Sequence, residues 1–251
     1  MVNGAIKYGR ANMKKTGRLI SWCMFLAAAL GVTTVAAEDL VITAGTHYVE
    51  LPVPIKGRNA DKVEVAEFFS YGCPHCYQFE PVIGSWKAQL PADVEFVRTP
   101  AVFNKDYQLY AQTYFTAQAL NVQEQSHIPL FDALHNQRRQ LNDPERMATF
   151  FGELGVDPLA FARTFNSFGV RASTQQAEAK GRAYRAAGVP ALIVNGKYRI
   201  EGSMAGSYAN MLLVADFLIA KELQLLADDQ ADTDVDADNK QSPSANYQSA
   251  N

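Results

Sequence analysis

The sequence predicts an α/β fold with a helical block set into it. Three observations carry that expectation. A strand–helix–strand pattern occupies residues 63–97. Strand signals then vanish over 105–169, where apolar residues recur at helical spacing. Two short β runs return around Asn195-Gly196 and lead into a last apolar helix.

Taken in order, Val63–Phe69 is a β-rich apolar run of strand length. Ser70-Tyr71-Gly72 connects it to a helical pattern that starts at Cys73. Cys76, Phe79, Ile83, Trp86 and Leu90 follow at intervals of three and four, forming one buried stripe. Pro74 sits just inside the start, where its missing N–H costs nothing. Pro81 lies mid-pattern and predicts a kink. Residues 94–97 give a second strand. In the helical block, Tyr107, Tyr110, Tyr114 and Ala117 share a face, as do Met147, Phe150, Phe151 and Leu154. These stripes read as core rather than as a cofactor box. Asn142-Asp143-Pro144-Glu145 and Asp157-Pro158 mark helix starts. A further helix is expected over 171–187, closed by Gly188. Two β runs, 191–194 and 197–200, flank Asn195-Gly196 and predict a hairpin through a type I′ turn. A final helix fits 206–226. After Ala227 the composition turns to Asp, Ala, Ser, Asn and Gln, and a disordered acidic tail is expected. No internal repeat is evident.

The chain has 251 residues, 48% hydrophobic and 20% charged, enough to bury a sizeable core. Three cysteines exclude a disulfide-dense scaffold, and 16 glycines exclude collagen. A net charge of -3 offers no basic footprint, so no nucleic-acid partner is expected. The charge is uneven. Residues 1–37 carry Lys7, Arg10, Lys14, Lys15 and Arg18 and no acid, whereas 227–251 carry six aspartates against Lys240.

The N-terminal segment reads as a secretory signal. A basic stretch ends at Arg18, an apolar run is densest over 24–30, and Val35-Ala36-Ala37 supplies small residues for cleavage after Ala37. Met13-Lys14-Lys15 is an alternative start. The competing reading, an uncleaved anchor, has a stretch barely long enough over 19–37, weakened by Ser21, Thr33 and Thr34. Ile20-Ser21-Trp22 before Cys23 does not resemble a lipoprotein cleavage box. Cleavage would leave only Cys73 and Cys76, in an oxidising compartment where disulfides persist. The loop they close is too short to remove much unfolded-chain entropy, so the pair is not a staple.

Cys73-Pro74-His75-Cys76 is the informative motif. The thiolate is the species that attacks disulfides. At a helix N-terminus, unpaired N–H groups and the helix dipole favour an anion on Cys73. His75 adds a donor, and positive charge when protonated. Cys76, on the buried stripe, can attack a mixed disulfide intramolecularly. The residues therefore predict an exposed nucleophile, Cys73, and a shielded resolving thiol, Cys76. A stabilised thiolate favours the reduced form, which makes the disulfide form an oxidant. A zinc site would need two more ligands. His47, His75, His127 and His135 form no standard module with the pair, and no metal is expected. Glu67 shares a strand face with Val65 and Phe69. It reads either as a solvated strand-end residue or as a buried acid able to shuttle a proton for Cys76. Pro190 reads either as a helix stop or as a cis proline presenting backbone to an extended substrate.

At these residues the sequence resembles the periplasmic thiol:disulfide oxidoreductases of the DsbA family. The matching stretches are Glu67-Phe68-Phe69-Ser70-Tyr71-Gly72-Cys73-Pro74-His75-Cys76-Tyr77 with Phe79-Glu80-Pro81, then Gly188-Val189-Pro190 with Val194-Asn195-Gly196-Lys197-Tyr198. The resemblance covers 46–226. It implies a thioredoxin-like fold, a central mixed sheet flanked by helices, interrupted by an all-α domain. The expected organisation is a signal peptide (1–37), a thioredoxin-like domain in two parts (38–104 and 170–226), an inserted helical domain (105–169) and the acidic tail (227–251). By the resemblance, the catalytic set is Cys73, Cys76, His75, Pro74 and Glu67, with a Cys73–Cys76 disulfide. Val189 and cis Pro190 contact substrate. The implied reaction donates the disulfide to reduced exported proteins, and a quinone-linked inner-membrane oxidase restores it. No cofactor is expected, and the expected state is a monomer in the periplasm. Ala191 stands where related enzymes often carry a hydroxyl residue, and the acidic tail is outside the family pattern. A disulfide reductase or isomerase, and a periplasmic peptide-binding chaperone using the same groove, are the competing functions.

Overall fold

A computed structural model describes residues 41–240, with side chains through Gln230. The leader expected over 1–37 and residues 241–251 lie outside the described residues. The core of the fold is a five-stranded mixed sheet in the order β1-β5-β4-β2-β3. These strands are β1 (Val49–Glu50), β2 (Val63–Phe69), β3 (Val94–Pro100), β4 (Ala191–Val194) and β5 (Tyr198–Glu201). β2 runs parallel to β3, in register from Val63 opposite Val94 to Phe69 opposite Pro100, and the other pairs are antiparallel. Every residue of β2 is buried, as a central strand covered on both faces requires. Val63 and Val65 pack with Phe79, Ile83, Met211 and Leu218. Ala66 and Phe68 pack on the opposite side with Val97, Ile193 and Tyr184. The strand period of two divides them.

Helix α1 (Pro74–Lys87) follows β2 and is unbroken across Pro81. Its stripe buries Cys76, Phe79 and Ile83; Trp86 is partly buried, and Leu90 falls beyond the cap at Ala88. Four helices follow β3: α2 (Lys105–Ala119), α3 (Gln123–His135), α4 (Pro144–Glu153) and α5 (Pro158–Phe165). Asp143 and Asp157 cap α4 and α5 at the two Asp-Pro starts. Tyr114, Phe131, Met147, Phe150, Phe151 and Phe161 form their shared core.

Four boundaries differ from the sequence reading. β3 continues past residue 97 to Pro100, because Arg98 and Thr99 pair with β2 although neither is apolar. α6 (Phe168–Tyr184) begins and ends earlier than predicted. Ser167 caps its start, accepting from the Val170 N–H at 3.3 Å. Arg185, with φ 51°, closes it in the left-handed conformation. The Arg199 guanidinium donates to the Tyr184 carbonyl at 3.1 Å, serving the helix end from β5, so Gly188 is not the stop. In the hairpin, Asn195 and Gly196 have φ 49° and 60°, as a type I′ turn requires. Pairing starts at Val194 opposite Tyr198, leaving Lys197 as an extra turn residue held by its N–H to the Val194 carbonyl at 3.0 Å.

The fourth difference is the tail. After the short α7 (Gly202–Ala205), helix α8 runs from Tyr208 to Lys240, through the point where disorder was expected to begin. Its early turns are packed through Met211, Val214, Ala215 and Leu218. Once a helix is nucleated, each added residue costs little, so the Asp-rich segment continues it. No helix among the described residues is long and apolar enough to cross a membrane.

Candidate active site

Cys73 is the N-cap of α1. Its backbone is extended, with φ -97° and ψ 114°, and its sulfur accepts the Cys76 N–H at 3.4 Å. The sulfur thus takes the position that a Ser or Asp oxygen usually fills at a helix start. Pro74 occupies the first turn. Pro74 and His75 are exposed, whereas Cys76 is fully buried. Cys73 itself is only 6% exposed, so the expected exposed nucleophile is instead largely covered. It packs with Tyr71 and Cys76, and the Val189 carbonyl lies against its sulfur at 3.4 Å. Val189–Pro190 is a cis peptide bond, so the reading of Pro190 as an ordinary helix stop is set aside. The turn before β4 therefore faces the turn after β2.

The two thiols have opposite electrostatics. The Cys76 side chain donates a hydrogen bond to Cys73, outweighing burial; with the backbone N–H groups of Cys76 and His75 and the His75 charge, it lowers the Cys73 pKa to about 6. Cys76 is pushed well above the usual thiol range, first by burial and then by Cys73 and the Glu67 charge. Both cysteines are free.

Glu67 is fully buried, so the solvated reading of this residue does not hold. Its Oε2 accepts from Arg98 Nε at 2.8 Å, while its Oε1 is buried without a hydrogen-bond partner. Burial outweighs the Arg98 charge and raises its pKa to about 7. Arg98 also reaches Glu80 at 3.1 Å. Glu80 in turn meets His127 Nε2 at 2.9 Å, and His127 Nδ1 meets the Tyr71 hydroxyl at 2.9 Å. Burial pushes Glu80 up, but His127 and Arg98 more than offset it and hold the carboxyl below its ordinary value. His127 is lowered, chiefly by burial. A continuous buried polar chain therefore runs from β2 under the cysteine turn to α3.

Sequence reading named one end of this arrangement, Glu67, and missed the rest as a connected chain. Arg98 is missed because the sequence reading ends the strand at residue 97, three residues short of Pro100; in register with Glu67 across a parallel pair, it is the natural counter-ion. His127 and Tyr71 carry no local signal, because their contact spans 56 residues. Among the described residues no cluster of His, Cys, Asp and Glu could hold a metal ion.

A groove of about 680 Å³ lies beside the cysteine turn, lined by His75, Val189, Pro190, Gly202, Ser203 and Tyr208 among others. Residues 97–208 match the DSBA-like thioredoxin domain. The thiol:disulfide interchange protein DsbA of Pseudomonas aeruginosa is 42% identical over 204 residues, which cover 81% of this chain and 96% of that protein.

The chain belongs to the DsbA family.

The DsbA of Azotobacter vinelandii is likewise 42% identical, over 77% of this chain and 91% of the relative. The crystal structure of Pseudomonas aeruginosa DsbA superposes with a TM-score of 0.70 at 43% identity, covering 72% of this chain and 94% of that one. DsbA from Xylella fastidiosa gives 0.69 at 34% identity, covering 72% and 97%. The fold is thus the thioredoxin-like DsbA fold, and the protein is a thiol:disulfide oxidoreductase.

Proposed function

We propose that this DsbA-family protein is a disulfide donor, with Cys73 as nucleophile and Cys76 as resolving cysteine. The observation that carries this reading is the asymmetry of the pair. One sulfur caps a helix and is held as a thiolate near neutral pH, while the other is buried and held as a thiol. Stabilising the Cys73 thiolate stabilises the dithiol form, so the disulfide form gives up its bond readily.

In the forward reaction a substrate thiolate attacks Cys73 Sγ and the Cys73–Cys76 bond breaks. The electron pair leaves on Cys76, which takes a proton. A second substrate thiolate then attacks the substrate sulfur of the mixed disulfide and releases the Cys73 thiolate. Two electrons pass to the enzyme, and the substrate gains a disulfide. Glu67 is the proton source for Cys76 in this reading, supported by a pKa of about 7 and a buried oxygen without a partner. His75 supplies positive charge beside Cys73. Val189 and Pro190 line the groove and offer backbone to an extended chain.

The wider setting belongs to the same proposal. Exported, reduced proteins are the substrates, in the periplasm, to which the segment 1–37 directs the chain. A quinone-linked membrane oxidase restores the disulfide, and the enzyme acts as a monomer. The test is transfer from the oxidised protein to a reduced, unfolded model protein, followed by thiol alkylation. The expected result is one substrate disulfide per enzyme disulfide consumed, lost in Cys73→Ser and in Cys76→Ser; offered a substrate disulfide instead, the Cys73 thiolate of Cys76→Ser attacks it, releases one substrate thiolate and holds the mixed disulfide. Disulfide transfer retained in Cys73→Ser would overturn the assignment, and a chaperone activity that survives replacement of both cysteines would favour a chaperone.

A further inference from the structure

The Tyr208 hydroxyl meets His75 twice. It donates to the His75 carbonyl at 3.0 Å, and it lies 3.4 Å from His75 Nδ1. A phenol has one proton. With that proton committed to the carbonyl, the second contact requires Nδ1–H to donate to the phenol oxygen. Tyr208 therefore holds the imidazole in the form that carries a proton on Nδ1 and fixes the ring's orientation.

The position of Tyr208 is built by the corner that holds it. Gly206, with φ 83°, ends α7 in the left-handed conformation. Ser207 Oγ then accepts the Asn210 N–H at 3.1 Å, and Asn210 Nδ2 donates back to the Ala205 carbonyl at 2.9 Å. Tyr208 is thus the first residue of α8, at its capped end. Its ring packs on Phe79 of α1 with centroids 5.0 Å apart. Burial raises its pKa, and the charges of Cys73 and Cys76 add to that, so the phenol lies within electrostatic reach of both sulfurs.

We propose that Tyr208 is a positioning residue for the redox pair: its hydroxyl holds the His75 imidazole beside the Cys73 sulfur and so sets the oxidising strength of the Cys73–Cys76 couple. The inference rests on the donor reading above and adds a residue from the last helix to it. It makes the N-terminus of α8 part of the device that tunes the active site, 133 residues from His75 in sequence.

Tyr208→Phe is the test, because it removes one oxygen and keeps the ring on Phe79. The wild-type and variant proteins are equilibrated with glutathione buffers and read by alkylation. Loss of the hydroxyl should shift the equilibrium about 2- to 10-fold toward the disulfide form. Absorbance of the thiolate should show the Cys73 titration moving upward. In a His75→Ala background the same substitution should have no effect on the equilibrium. An unchanged equilibrium in Tyr208→Phe overturns the proposal, and so does an equal shift in the presence and absence of the imidazole. Failure of the wild-type protein to exchange with glutathione would be seen before any variant is compared, and would strike the donor reading instead.

Discussion

The backbone N–H of Cys76 donates to the Cys73 sulfur at 3.4 Å, so the second cysteine of the motif caps the first. The same residue also donates from its side chain, and that bond is the largest influence on Cys73. The spacing of the motif therefore acts through geometry: two residues between the cysteines bring a helix-start N–H and a thiol onto one sulfur.

A first prediction follows for the thiolate. Cys76→Ala removes the side-chain donor but keeps the backbone one, and should move the Cys73 titration upward from about 6 by about 1 pH unit or more. Cys76→Ser retains a donor and should fall between. Absorbance of the thiolate against pH measures both. An Ala variant titrating with the wild type would show that the backbone and His75 contributions suffice.

The buried acid gives a pH dependence with a definite sign. Glu67 is raised from 4.5 to about 7 in the fold, so between those values the folded state holds a proton that the unfolded chain has lost. Stability contributed by this group therefore falls as pH rises from 4.5 to 7 and is level above. Glu67→Gln removes the effect. Denaturant unfolding of the oxidised protein at pH 4.5 and pH 8 should show the variant gaining on the wild type by roughly 3 kcal/mol between them. A difference that is independent of pH would contradict the raised pKa.

His127 joins Glu80 to Tyr71 inside the protein, with 3% of its surface exposed. His127→Leu leaves the Tyr71 phenol without its partner and takes from Glu80 Oε1 one of two, the other being Arg98 Nη2 at 3.3 Å. The expected loss is about 2–4 kcal/mol, read as a lower denaturant midpoint. Unchanged stability would mean that water replaces the imidazole.

Gly196 tests the hairpin. Its φ is +60°, and a Cβ there would lie 1.8 Å from the Ile55 carbonyl oxygen, a backbone atom that cannot step aside. The Ile55 N–H also donates to the Gly196 carbonyl at 2.9 Å, which fixes the approach. Gly196→Ala should cost about 3 kcal/mol or more, or abolish soluble expression. Near-wild-type thermal unfolding would refute this packing.

Much of this was legible in the sequence for identifiable reasons. Val63–Phe69 and the stripe through Cys76, Phe79 and Ile83 are local patterns, and local periodicity reports local structure. The Asp-Pro helix starts and the Asn-Gly turn are equally local. What could not be read arises from contacts distant in sequence. Arg98 pairs with Glu67 across 31 residues, Arg199 serves the end of α6 from another element, and Tyr208 reaches His75 across 133 residues. Composition misjudged the acidic segment after Ala227 because it ignored the packed helix that the segment extends.

Disulfide donation requires that the Cys73–Cys76 couple be oxidising. The measurement that tests it most directly is the equilibrium potential of that couple in glutathione buffers, read by alkylation of the free thiols. A disulfide donor should give a value more oxidising than the glutathione poise outside the cytoplasm, with the thiolate on Cys73. A strongly reducing value would contradict it and make the protein a reductase fed by a membrane electron source.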